Sequence, residues 1–167
     1  MVATPAHDFF DKARVWAVAV MVAAGIASII GSTLAWVTIT VRPELQEGTR
    51  FEDDELEAPR ITAPFNGLEA RDGWWSLAGG VVLIAAGLAL YLRRRAGWGW
   101  LGVLGAVTIG AVGIADYRGI GDLSSSISHR MDIVGGAEPG VGLTLVVAAA
   151  ITGLVGSVAG IAASPRR

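Results

Sequence analysis

Two histidines, fifteen carboxylates and a scatter of hydroxyls are the raw material for any reactive centre in this sequence. Cysteine is absent, which removes thiolate nucleophiles, disulfides and Cys-ligated metals. A base, a nucleophile or a metal must also be arranged within reach of one another. His7 and His129 fall in segments that the hydropathy pattern assigns to opposite faces of a bilayer, and neither has neighbours at ligand spacing. The acidic run "EDDELE" (52–57), with Asp53, Asp54 and Glu55 at its centre, offers hard oxygen ligands for calcium. It lacks the alternating spacing and central glycine of an EF-hand loop, so it reads as a solvated acidic turn or a surface for a basic partner. No Walker loop, nucleophile elbow or zinc-binding HExxH is present. The glycine-rich "AGWGWLGVLG" (96–105) follows an arginine run rather than a strand, which argues against a phosphate loop. The expectation is a non-enzyme with no cofactor, no metal and no nucleic-acid partner.

The elements that would position these residues are written in the hydropathy. Of 167 residues, 53% are hydrophobic and only 17% charged, below the quarter or so usual for a soluble domain. Mean hydropathy is +0.55. Four stretches, 15–39, 74–92, 98–115 and 141–163, are apolar and free of Asp, Glu, Lys, Arg and His. Each is close to the roughly 20 helical residues that cross a ~30 Å hydrocarbon core. Helices are required there, because unpaired strands would leave backbone groups unsatisfied in lipid. The first stretch is too long for the core of a signal peptide and lacks a cleavage site, so it is expected to be retained. The predicted class is an all-α membrane protein, a four-transmembrane-helix bundle.

Charge predicts the orientation. The segments 1–14, 93–97 and 164–167 carry seven basic residues, including the "RRR" of Arg93–Arg95, against Asp8 and Asp11. The segments 40–73 and 116–140 carry six basic residues against thirteen acids. The positive-inside rule therefore places both termini and the arginine turn in the cytoplasm. Trp16, Trp98 and Trp100 fall at the cytoplasmic ends of the spans, and Trp36, Trp74 and Trp75 at the outer ends. All six are expected to act as interfacial anchors.

Small residues recur at helical spacing, most clearly Gly153, Gly156 and Gly160 in the fourth span. Such stripes let helices approach closely, either within one bundle or against a partner. The first outer loop opens with "WVTITVRPEL", whose alternating apolar residues predict a strand, and "PRITAPF" (59–65) is a second extended candidate. The pair predicts a short antiparallel β-ribbon that needs packing to be stable. In the second outer loop, Ile120, Leu123, Ile127, Met131 and Val134 recur at spacings of three and four, predicting a short amphipathic helix. "DGWW" (72–75) predicts a helix start, with Asp72 as a side-chain cap. The preceding "APFNGLEAR" is more apolar than a free loop requires, which makes Phe65 and Leu68 candidates for partner contact.

Several of these stretches together resemble small four-helix membrane proteins of actinobacteria, including the tryptophan-associated membrane protein family. The residues concerned are "GSTLAWV" (31–37), "DGWW", the arginine turn and "GVGLTL" (140–145). The resemblance implies an all-helical bundle in an actinobacterial cell membrane and assigns no reaction.

The spans lack the intramembrane charges that ion-coupled transporters use. The functional expectation is a non-catalytic accessory subunit or assembly factor of a larger bacterial membrane complex. It would contact that complex through Phe65, Leu68, Asp53, Asp54 and Glu55 outside the membrane and Gly153, Gly156 and Gly160 within it. The alternative is a small homo-oligomeric transporter or channel.

Overall fold

The computed structural model describes residues 5–41, 61–69, 71–131 and 135–164. The order of elements is α1 (Pro5–Thr33), β1 (Ala35–Val41), β2 (Ile61–Asn66), α2 (Gly73–Arg93), α3 (Ala96–Met131), β3 (Gly135–Pro139) and α4 (Val141–Ala162). Consecutive helices are neighbours, and α1 packs against α4 to close the ring. Among the described residues, four helices are long and apolar enough to cross a membrane, over Phe10–Thr33, Gly73–Arg93, Ala96–Ile120 and Val141–Ala162.

The seams between helices are built from small residues. A Cβ on Gly25 of α1 would fall 2.6 Å from the Gly80 carbonyl of α2, and one on Gly80 would fall 2.8 Å from the Gly25 carbonyl. At this level Ser28 donates from its hydroxyl to the Ser76 carbonyl at 2.9 Å, joining α1 to α2. Gly79 and Gly105 make a similar approach between α2 and α3. Met21, Leu83, Leu90, Ile109, Leu143 and Val146 fill the centre and are sealed from solvent. The perimeter is the reverse of a soluble surface: Ile26, Val81, Leu88, Leu104, Val107, Ile151 and Val155 are exposed around it. Large contiguous apolar surface on a four-helix ring is what lipid covers, so the chain is a multi-pass membrane protein.

Three boundaries differ from the hydropathy reading. Helix α1 starts at Pro5 within the expected tail, since proline suits the first helical turn and no breaker follows it. It stops at Thr33, and the last apolar residues expected in the span form β1 instead. Their β-branched alternation favours an extended backbone once the chain leaves lipid. The expected amphipathic helix is not a separate element. It continues α3, a single helix of 36 residues that extends well past the membrane. No proline interrupts 97–131, and a change in hydropathy alone does not break a helix. Val134 lies outside the described residues.

The ribbon forms as expected and gains a third strand. Strand β1 is central in the order β2-β1-β3 and antiparallel to both neighbours. Thr38 faces Pro64 on one side and Glu138 on the other. Strand β3, "GGAEP", has no β-branched residue, so pairing with β1 rather than local preference makes it extended. The sheet thereby ties the α1–α2 connection to the chain that leads into α4.

Candidate interaction surface at the sheet end

The sheet is fixed to the bundle at one corner, and Trp36 is its centre. Trp36 is 2% exposed, so it is an internal residue and not the lipid-facing anchor its position in the sequence suggests. The indole N–H donates to the Gly31 carbonyl at 2.8 Å, satisfying the one polar atom the side chain buries. Its ring lies on the backbone of Gly67, where any Cβ would collide with it. The Trp36 carbonyl accepts the Gly140 N–H at 2.7 Å, and a Cβ on Gly140 would strike the Ala35 carbonyl. The Gly73 N–H in turn donates to the Gly67 carbonyl at 2.9 Å. Residues from three stretches far apart in the chain, "GSTLAWV", the turn leading into "DGWW", and "GVGLTL", therefore meet at one corner.

The turn after β2 is also ordered by hydrogen bonds. The Glu69 N–H donates to the Asn66 side-chain oxygen at 2.9 Å, and the Asn66 N–H donates back to the Glu69 carboxylate at 3.3 Å. This is the reciprocal arrangement of a capping box, here closing a loop. Arg71 completes the turn with φ of 68°. Asp72 occupies the N-cap position of α2, but its side chain makes no capping hydrogen bond. Backbone carbonyls do that work: Gly67 accepts from Gly73, Arg71 from Trp74 and Asp72 from Trp75. The Asp72 carboxyl lies instead beside that of Asp116 on α3.

On this platform Phe65 is 46% exposed and stands across from Val37 in the β1–β2 ladder. Leu68 is half-buried in the turn. Among the described residues β2 pairs with β1 alone, which leaves the far edge of β2 without a strand partner. Asp53, Asp54 and Glu55 lie outside the described residues.

The structure places the other candidate residues elsewhere. Gly153, Gly156 and Gly160 are buried inside the bundle. Gly153 faces Leu83 of α2, Gly156 faces Val20 and Met21 of α1, and Gly160 faces Leu90 of α2. This stripe is filled by the chain itself, because α4 needs it to sit against α1 and α2. Trp74 and Trp75 at the sheet end, and Trp16 and Trp100 at the arginine end, are all 60% or more exposed on the perimeter. Trp98 is half-buried beneath the Arg93 guanidinium, whose carbon lies 6.0 Å from the ring centre.

Sequence reasoning missed Arg14, which it treats as a tail residue. Arg14 is 6% exposed and pairs with Asp11 at 2.6 Å at the arginine end of α1. The spacing of three on a helix was the available signal. Among the described residues no group of three or more His, Asp or Glu side chains comes together as a metal cluster. No protein-family model matches the sequence, and no curated protein is similar enough to stand as a relative.

Proposed function

We propose that this protein is a non-catalytic accessory subunit or assembly factor of a larger membrane protein complex, engaging it through the sheet end. One observation carries the reading. A small sheet that could not be stable alone is locked to the bundle by buried contacts, while its edge strand leaves Phe65 half uncovered. A rigid platform with an exposed aromatic on a strand whose far edge is unpaired among the described residues suits docking of another polypeptide, by strand addition with Phe65 as anchor. The acidic run with Asp53, Asp54 and Glu55, in the chain joining β1 to β2, favours a partner with a basic extramembrane face. The partition of arginines supports a bacterial cytoplasmic membrane with both termini inside and the sheet outside. The likeness to small actinobacterial four-helix proteins agrees with that setting.

The test is purification in mild detergent from native membrane, with mass spectrometry of the co-eluting proteins. Wild-type chain should bring down a defined integral membrane partner, and Phe65→Asp should lose it while eluting as a folded protein. A chain that elutes as a partner-free monomer or as a homo-oligomer would defeat the proposal. The homo-oligomeric result would direct attention to flux measurements in vesicles.

A further inference from the structure

At the sheet end, on the side of the bundle formed by α3 and α4, a groove of about 290 Å³ is lined by Ile114, Tyr117, Arg118, Thr144 and Val147. Its residues come from one face of each helix: 114, 117 and 118 on α3, and 144 and 147 on α4. Gly113 makes the approach close, since a Cβ there would meet Val147 at 2.9 Å. Ile114 and Tyr117 are more than half exposed, so the groove opens on the perimeter that faces lipid. The Thr144 hydroxyl is spent on the Gly140 carbonyl at 3.0 Å, which leaves the lower wall apolar.

The upper rim is different. Arg118 lies roughly 33 Å along α3 from Ala96, beyond a hydrocarbon core of ~30 Å and level with headgroups. Its side chain is exposed. Arg118 thus borders an apolar slot at the depth where phosphate meets acyl chain.

We propose that this groove binds an anionic phospholipid of the leaflet at the sheet end. Its phosphate is held by Arg118 and part of one acyl chain lies against Ile114, Tyr117 and Val147. The volume, at the low end for ligand pockets of ~300 Å³ and more, suits a stretch of chain rather than a whole lipid. Charge selects the occupant: a zwitterionic headgroup would bring an ammonium toward the same cation. The inference is independent of the proposed accessory role.

The test is native mass spectrometry of the full chain in detergent, titrated with phosphatidylglycerol or phosphatidylcholine of matched acyl chains. Wild type should retain one phosphatidylglycerol about tenfold more tightly than phosphatidylcholine, as expected for one charge-assisted contact. Arg118→Gln should erase the preference and Arg118→Lys should keep most of it. Ile114→Trp, which fills the slot, should weaken both lipids. Lys12→Gln, at the opposite end, should change nothing. Equal retention of the two lipids by wild type would overturn the proposal. So would an undiminished preference in Arg118→Gln, or a preference lost in Lys12→Gln.

Discussion

At the arginine end, α2 and α3 are joined by Arg94 and Arg95 alone, and Arg94 closes the turn with φ of 52° and an N–H bond to the Leu90 carbonyl at 3.1 Å. Arg93, Arg94 and Arg95 are all exposed, and Arg93 leans over Trp98. At the sheet end, the connections are longer and backbone hydrogen bonds converge around Trp36. The first arrangement stabilises little by itself and instead displays charge, which controls how a helical hairpin inserts. The second holds three strands in fixed register. A buried indole with a satisfied N–H and glycine on its face admits few alternatives, whereas an exposed arginine turn admits many. One end displays charge and the other fixes shape.

The comparison can be broken most directly at Trp36. Trp36→Ala should cost about 3–5 kcal/mol, a large part of a typical domain's stability, and detach the sheet. Thermal unfolding in detergent, combined with proteolysis of the β1–β2 connection, would register both effects. If the sheet stayed protected, the corner would not be its anchor. Trp36→Phe should recover most of the packing and lose only the bond to Gly31, about 1 kcal/mol.

A smaller effect is expected in the bundle that both ends share. Gly156→Leu forces a side chain into Val20 and Met21 and should cost about 1–3 kcal/mol, read from the same unfolding curves. The loss should appear without prior release of the sheet, because Gly156 meets Ala17, Val20 and Met21, roughly three to four helical turns from the Gly31 contact that holds the corner. Retained stability would mean that α4 can slide away from α1, contrary to the close packing. The smallest change belongs to the arginine end. Arg93→Ala removes an exposed cation from above Trp98 and should shift stability by about 0.5–1 kcal/mol. A loss as large as that of Trp36→Ala would erase the distinction between the two ends.

Both the bundle and the ribbon were legible because each rests on a repeating pattern. Runs of apolar residues matched to bilayer thickness give the four helices, and alternation in "WVTITV" gives β1. The continuation of α3 was legible in its residues but hidden by the fall in hydropathy at Asp116, which marks a change of solvent and not a change of backbone. Strand β3 was illegible: "GGAEP" carries no β signal and is extended only because β1 offers it hydrogen bonds. Phe65 and Leu68 could be singled out as excess apolar residues, although their exposure depends on which face of the turn the Asn66–Glu69 pair presents. Nothing in the sequence marks the α3–α4 groove, since its lining residues become neighbours only when Gly113 lets the two helices approach.

The sequence by itself determined that the chain crosses a membrane four times and where its charges lie, because transfer of apolar surface and of charge is decided residue by residue. Tertiary structure alone decided what its tryptophans and glycines are for. Trp36 and Trp75 look alike in a linear reading, each beside an apolar run, yet one is enclosed by Gly31, Gly67 and Gly140 and the other faces outward. The same holds for Gly153, Gly156 and Gly160, which could have met another chain but meet Leu83, Met21 and Leu90 of their own. Close packing depends on which surfaces arrive together, and no single segment carries that information.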